Sequence, residues 1–141
     1  MLLVKTRIGP SKIHGIGVFV EERIKKGQPI WVFDPRVDVR VRVADLPSFP
    51  PTMRAFFHKY GYDEMYEGER TIVLCGDHGR HVNHSDDPNM SDGDTDIAAR
   101  DIEPGEELTC NYYTFDLDAV RKLSQPKRAR APKKSRSVLV S

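Results

Sequence analysis

Short apolar runs separated by turn-forming residues dominate the chain. Such runs span residues 2–8, 18–20, 29–33, 71–75 and 108–113, and each predicts a strand. Valines alternate strictly with charged residues over 37–43, which predicts a strand with one face in solvent. The pair Asp92-Gly93 predicts a hairpin turn. Many short strands with frequent turns predict a mostly β domain.

One segment carries a helical period instead. After three prolines, Met53, Phe56, Phe57 and Tyr60 recur at the spacing of one helix face. Thr52 is the predicted N-cap and Gly61 the predicted stop. We therefore expect one short amphipathic helix whose apolar stripe packs against the sheet. Of these side chains, Tyr60 could also contact a peptide ligand, together with Tyr62 and Tyr66.

Length and cysteine content narrow the protein class. A chain of 141 residues suits one domain that buries a core without a covalent staple. Only two cysteines occur, far apart in sequence, so neither a disulfide framework nor a zinc knot is encoded. The first residues become charged too soon for a signal peptide, and no apolar run reaches membrane-spanning length. We expect an intracellular protein, cytoplasmic if bacterial, that is neither secreted nor bound to membranes.

The net charge of +1 conceals an uneven distribution. Residues 126–141 hold six of the 22 basic residues and no acidic ones, which leaves 16 basic against 21 acidic residues elsewhere. This predicts an acidic domain over 1–120 and a basic, disordered tail over 121–141. An acidic domain attracts basic peptides, and a polycationic tail suits nucleic acid.

Three segments concentrate groups suited to ligand binding. The first, Gly79-Arg80-His81-Val82-Asn83-His84-Ser85-Asp86-Asp87-Pro88-Asn89, places amide, imidazole and hydroxyl groups around a proline turn. The second is Gly105-Glu106-Glu107-Leu108-Thr109-Cys110-Asn111-Tyr112, and the third is His14-Gly15-Ile16-Gly17-Val18-Phe19. The paired glycines let the main chain approach a ligand closely. A dinucleotide site is excluded, because no third glycine and no helical pattern follow.

Together these segments closely resemble the signature motifs of the SET-domain protein lysine methyltransferases. The family patterns are R-F-I-N-H-S-x-x-P-N and G-E-E-L-T-x-[DN]-Y, and the resemblance covers roughly residues 2–118. It implies a SET-type β-clip fold of short strands with a knot-like crossing and one short helical insert over about 44–70. It also implies a protein-lysine N-methyltransferase that uses S-adenosyl-L-methionine as its cofactor.

The resemblance also assigns roles to individual residues. Tyr112 matches the catalytic tyrosine that orients the amine, although a tyrosine at a strand end could be a core aromatic. The implied cofactor contacts are Gly15, Ile16, Gly17, Arg80, Asn83 and His84. Arg80 could equally be a structural ion-pairing residue, and Asn83 also suits an Asx-type turn. The implied substrate contacts are Tyr60, Tyr62, Tyr113 and Phe115, and Tyr66 lies in the same insert.

Departures from the family pattern shape the remaining expectations. His81 replaces the usual aromatic of the first motif, and Asp86 replaces the cysteine that often follows it. No cysteine-rich flanking segments occur, so residues 113–116 or a partner chain must close the lysine channel. The chain therefore resembles the minimal, stand-alone bacterial and viral members. The expected partner is a protein with a target lysine, including basic chromatin-like proteins, and the expected oligomer is a monomer or homodimer.

Two other functions stay open from the sequence. A catalytically silent SET-like module could bind a basic protein or nucleic acid. A metal-binding regulator could use His78, His81 and His84, but their turn-rich segment lacks the fixed facing of a helix, so we expect no metal site.

Overall fold

The structure, a computed structural model, describes residues 1–124. It contains ten strands: β1 Thr6–Pro10, β2 Ile16–Val20, β3 Pro29–Val32, β4 Val39–Arg42, β5 Tyr62–Tyr66, β6 Glu69–Leu74, β7 Asn83–His84, β8 Met90–Ser91, β9 Thr95–Ala98 and β10 Thr109–Cys110. The chain also forms two helices, α1 Pro51–Tyr60 and α2 Ala119–Leu123. Short 3-10 turns lie at Val43–Ser48, His78–His81 and Tyr112–Thr114. The predicted tail at 121–141 thus begins inside α2, and its remainder lies outside the described residues.

The strands form four small sheets. β1 pairs with β2, and the predicted hairpin of β8 and β9 continues through β9 to β3. A second three-stranded sheet has the order β4-β6-β5, and β7 pairs in parallel with β10. The expectation of a mostly β domain is confirmed.

Residues 106–110, here called the crossing segment, join two of these sheets. On one side, Val20 N–H donates to Glu106 O at 3.0 Å and Leu108 N–H donates to Val18 O at 2.8 Å. On the other side, Thr109 pairs with Asn83 in the parallel ladder of β7 and β10. The two long sequence motifs therefore lie side by side in space.

Two groups of buried apolar residues stabilise this arrangement. The main core contains Leu2, Val4, Val18, Val20, Ile24, Ile30, Val82, Met90, Ala98, Ile102 and Leu108. A smaller core of Leu46, Phe57 and Ile72 fastens α1 to β6. Within residues 1–124, no helix is long and apolar enough to cross a membrane.

The helix lies where predicted, but fewer of its apolar side chains are buried than the sequence predicted. It begins with Pro51 at its first position, whose fixed φ suits a helix start, and Thr52 is not its cap. Only Phe57 is buried, whereas Met53 and Phe56 are 42% and 38% exposed. Gly61 ends the helix with a φ of −83°, a conformation that any residue can adopt. Glycine is needed there because a Cβ would lie 2.4 Å from Ile72 Cγ2.

Three predicted strands are shorter in the structure. The first begins at Thr6, since Leu2 forms only an isolated bridge with Trp31. The valine-alternating strand covers Val39–Arg42, because Val43 enters a 3-10 turn. The last strand stops at Cys110, because the Asn111 side chain accepts the Tyr113 N–H and starts another such turn.

Candidate active site

Asn83 joins three segments of the chain at one buried point. Its Nδ2 lies 3.0 to 3.2 Å from four acceptors: Ser11 Oγ, His14 O, Ile16 O and Glu107 Oε2. An amide has two hydrogens, so these acceptors share them. The Asn83 side chain therefore fastens the first motif to the glycine-containing loop and to the second motif.

The loop over residues 11–17, here called the glycine loop, needs both of its glycines. Gly15 has a φ of +48°, a backbone conformation that favours glycine. At Gly17 a Cβ would lie 2.7 Å from Glu107 Cδ, because the Glu107 carboxylate packs under the loop and accepts from Ser11 Oγ at 2.7 Å. The loop leaves Gly15 and Ile16 exposed, while their carbonyl oxygens accept hydrogen bonds from Ser11 N–H and Asn83 Nδ2.

His84 connects the first motif to the second. Its Nδ1 accepts the Tyr112 N–H at 3.1 Å, which places the ring proton on Nε2. That nitrogen donates to Asp86 Oδ1 at 2.9 Å. The ring also lies 5.4 Å from both the Tyr112 and the Tyr113 rings, measured between centroids. The imidazole thus fixes the position at which the chain turns after β10.

Tyr112 is the first residue of this turn. Its hydroxyl donates to Val82 O at 2.6 Å, one residue before Asn83. Burial raises the pKa of Tyr112, so the hydroxyl stays neutral at physiological pH. Because its proton is engaged with the carbonyl, the oxygen retains lone pairs that can accept a hydrogen bond.

Tyr112 lines a narrow cavity of about 100 Å³, here called the aromatic cavity. Its aromatic walls are Trp31, Tyr60, Tyr62, Tyr112 and Phe115. The rings meet edge to face, with centroids 6.3 Å apart for Trp31 and Tyr62, 5.3 Å for Tyr62 and Phe115, and 6.0 Å for Tyr112 and Phe115. The cavity is small beside typical ligand pockets of about 300–1,000 Å³, so it suits a slender chain.

Polar groups also line the aromatic cavity. Asp116 is 6% exposed and accepts from Lys122 Nζ at 2.6 Å, which ties α2 to the cavity wall. Burial raises the pKa of Cys75 to about 12 and also raises that of Cys110, so both thiols stay protonated and neither is a reactive nucleophile. Asp96 lines the wall formed by β9.

The sequence-predicted substrate contacts separate into two groups. Tyr60, Tyr62 and Phe115 line the aromatic cavity. Tyr113 is 57% exposed and lies beside His84 instead. Tyr66 stacks on the Arg40 guanidinium at 3.8 Å, in a different groove.

Arg80 reaches the aromatic cavity without a carboxylate partner among residues 1–124. Its Nε donates to Cys75 O at 3.1 Å, and its guanidinium lies 5.3 Å from the centre of the Phe56 ring. It forms no ion pair within the part of the chain described. The structure therefore gives Arg80 a backbone and an aromatic contact rather than the ion pair considered from the sequence.

Four residues of the site were not identified from the sequence: Trp31, Asp96, Glu107 and Lys122. Glu107 lies inside a recognised motif, and Trp31 is the only tryptophan of the chain. These two features could have identified Glu107 and Trp31 from the sequence. Asp96 and Lys122 carry no local pattern, because their role depends on contacts between distant segments.

The three histidines at and before the first motif, His78, His81 and His84, have different partners. His78 Nδ1 lies 3.3 Å from Thr6 Oγ1, His81 packs edge to face on Tyr60, and His84 bonds Asp86. Among residues 1–124, no three histidine, cysteine, aspartate or glutamate side chains come together as metal ligands.

The fold is similar to that of several solved structures. The chain resembles the Polycomb Repressive Complex 2 of Chaetomium thermophilum bound to GSK126, at 23% identity and a TM-score of 0.64 over 85% of this chain and 17% of that one. The same complex in an autoinhibited conformation bound to S-adenosylmethionine gives 19% identity and a TM-score of 0.63, over 85% and 16% of the two chains. A third structure of that complex, with H3K27me3 and H3K27M, gives 20% identity and a TM-score of 0.60, over 77% and 14%.

This chain thus spans about one sixth of the length of the chains that it matches. At these identities the likeness shows the fold, which confirms the SET-type fold expected from the motifs. The SET domain family model matches residues 15–113, well over half of the 141 residues. The chain therefore belongs to the SET domain family.

Proposed function

We propose that this protein transfers a methyl group from S-adenosyl-L-methionine to a lysine side chain of a protein substrate. One observation carries the proposal: Tyr112 and Val82 both line the aromatic cavity, and the Tyr112 hydroxyl donates to Val82 O, directly before the polar segment Asn83–His84. A slender apolar passage that meets a polar ligand site is the arrangement that such a transfer needs, because the reacting atoms must be aligned with water excluded.

The chain's residues fit the cofactor on the polar side. Gly15 and Ile16 are exposed, and the open space beside Gly15 gives a ligand room to approach the main chain of the loop. His84 would contribute its backbone, since its ring nitrogens are already engaged. Asn83 would act largely through the glycine loop that it holds. When bound, S-adenosyl-L-methionine supplies an electrophilic methyl group on a sulfonium.

Tyr112 would position the substrate amine. A lysine amine reacts only when neutral, and its unperturbed pKa is about 10.4. A neutral phenol oxygen accepts a hydrogen bond from the amine without adding a negative charge that would hold the proton on it. The bond from Tyr112 to Val82 O fixes the oxygen before the substrate arrives.

Tyr60, Tyr62 and Phe115 would surround the methylene chain of the substrate lysine. Their rings are part of the wall of the aromatic cavity, whose volume of about 100 Å³ is too small for a bulky side chain. A related complex, that of Chaetomium thermophilum, has been solved with H3K27me3, and another of its structures with S-adenosylmethionine. Both support a protein lysine as the substrate and this cofactor.

The chain closes the passage with its own residues. Phe115 lies between Tyr62 and Tyr112, and the next residue, Asp116, binds Lys122 of α2. Lys122 also donates to Gly61 O, at the end of α1. The turn after β10 and α2 thus take the place of a cysteine-rich closing segment.

Calorimetric titration with S-adenosyl-L-methionine, followed by a lysine-peptide array with labelled cofactor, tests the proposal. We expect saturable cofactor binding and label on peptides that is lost when the target lysine is replaced by arginine. Absence of cofactor binding by the folded protein would contradict the proposal and favour the silent interaction module. Binding without transfer to any peptide or to histones would contradict the assignment of a lysine substrate.

A further inference from the structure

A carboxylate lies in the wall of the aromatic cavity. Asp96 belongs to β9 and stands opposite Trp31 of β3 in the antiparallel ladder. Both side chains line the cavity, together with Met90 of the neighbouring strand β8. An acidic group therefore lies within an otherwise apolar and aromatic sheet surface.

Asp96 has almost no partner of its own. Its Oδ1 accepts one long hydrogen bond from Gly93 N–H at 3.3 Å. No Lys, Arg or His within residues 1–124 lies in ion-pair contact with it, although Asp116 in the same cavity is paired with Lys122. Asp96 is thus the acidic side chain of the cavity that lacks a cation among the described residues.

The neighbouring strand β3 of the same wall also has an unsatisfied polar group. Trp31 Nε1 is buried without a hydrogen-bond acceptor among the described residues. Two polar groups with too few hydrogen-bond partners, on adjacent strands, lower the stability of the folded protein, because burial removes them from water. Such departures from good packing are expected where a ligand completes the site.

The surrounding rings favour a cation. Trp31, Tyr62 and Phe115 present aromatic surface in the same cavity, and aromatic faces attract ammonium groups. Three basic side chains line the cavity, and each has another contact: Lys122 binds Asp116, Arg80 donates to Cys75 O, and Lys59 lies 5.1 Å from the centre of the Tyr60 ring. None of the three is in ion-pair contact with Asp96. The sheet side therefore carries negative potential.

We infer that Asp96 binds the ammonium group of the substrate side chain as it enters, before the amine releases its proton to solvent and meets Tyr112. Asp96 thereby makes the aromatic cavity select a primary alkylammonium over a neutral chain of the same shape. This inference rests on the proposed function and specifies how the substrate lysine is recognised. Asp96 acts here as a specificity-determining residue, and Trp31 and Tyr62 complete the cation site.

The test uses the full chain and a small probe. n-Butylammonium matches the end of a lysine side chain, and 1-butanol is its neutral counterpart. Trp31 is the single tryptophan of the protein, so its fluorescence reports binding in the cavity directly. We expect saturable binding of n-butylammonium that weakens about tenfold in Asp96→Asn, because a partly buried charge loses its partner. Binding of 1-butanol should be unchanged.

Asp94→Asn is the matched control. Asp94 is exposed in the same hairpin, so its substitution removes an equal charge without reaching the cavity. It should leave n-butylammonium binding unchanged. Equal binding of the probe by wild type and Asp96→Asn, no binding by wild type, or an equal loss in the Asp94 variant would each overturn the inference.

Steady-state methylation separates this inference from the proposed function. We expect Asp96→Asn to raise KM for a lysine peptide about tenfold while leaving cofactor affinity unchanged. Methylation with an unaltered KM would reject the role of Asp96 and keep the proposed function. Asp96-dependent probe binding without methylation of any peptide would keep the cation site and reject the proposed function.

Discussion

Two hydrogen bonds of Tyr112, from its hydroxyl to Val82 O and from its N–H to the His84 ring, join the two long motifs of the site. Tyr112, Asn83 and His84 were identified because their motifs resemble a known family. The bonds from Tyr112 to Val82 O and to the His84 ring come from the three-dimensional path of the chain. Asp96 was not identified, because a carboxylate in a short hairpin has no local pattern that distinguishes it from a solvated one.

At Tyr112, replacement by phenylalanine should separate packing from chemistry. The ring stays in place, while the hydroxyl and its bond to Val82 O are lost, which costs about 1 kcal/mol of stability. We expect the single-turnover rate to fall about 100-fold, since the amine loses its positioning oxygen. Cofactor affinity should not change. Tyr113→Phe is the control, because that exposed ring does not line the cavity; a comparable loss there would move the role to Tyr113.

At Asp96, burial raises the pKa to about 6, above the usual value of 3.8. The folded state therefore binds an extra proton between these values, and its stability falls as pH rises from about 4 to 6. Asp96→Asn removes that dependence. In the absence of ligand, the variant should gain about 1–3 kcal/mol relative to wild type between pH 4 and pH 7.5. Urea unfolding at both values measures the difference, and a pH-independent difference would show that Asp96 is not buried as described.

At the scale of elements, prediction succeeded where pattern and packing agree. The hairpin at Asp92-Gly93 formed around its predicted turn residues. The helix before Gly61 also formed, because Pro51 starts it and packing against Ile72 leaves no room for a side chain at position 61. The last strand was too long in the prediction, since its apolar run continues while Asn111 caps a 3-10 turn. Met53 and Phe56 follow the helical period yet stay exposed, because the second core reaches only Phe57.

The glycine loop should behave as one unit with Asn83. Asn83→Ala removes the amide that fastens the loop and leaves buried acceptors unpaired, which costs about 1–3 kcal/mol. We expect cofactor affinity to fall about tenfold or more, with faster hydrogen exchange across residues 11–17. Hydrogen exchange and calorimetry on the same variant measure both effects. A folded variant with unchanged cofactor affinity would contradict the role of Asn83.

At the scale of the whole molecule, the core explains which part of the chain the domain needs. Both groups of buried apolar residues lie between Leu2 and Leu108, and α2 adds the buried Ala119. The compact fold class was predictable from strand and turn patterns. The closure of the cavity by α2 was not, because it depends on Lys122 reaching Asp116 and Gly61.

Deletion after Gln125 removes the six basic residues of 126–141, which lie outside the described part of the chain. We expect the thermal midpoint and the cofactor affinity to stay unchanged, because the core residues are all retained. Nucleic-acid binding at low salt should be lost with the charges, since such binding is electrostatic and falls with salt. Gel shifts at two salt concentrations measure this. Equal binding by the truncated chain would place the contact in the domain.

The crossing segment determines when the domain can fold during synthesis of the chain. Its backbone completes both the β2 edge and the parallel pair with β7, and Leu108 fills the main core. A nascent chain that ends before residue 106 thus exposes unpaired strand edges and an unfilled core. Contacts between residues far apart in sequence also form slowly once the crossing segment is available, which prolongs the exposure of these edges. The motif that carries Tyr112 therefore arrives last, and the nascent protein cannot acquire its site before the crossing segment leaves the ribosome.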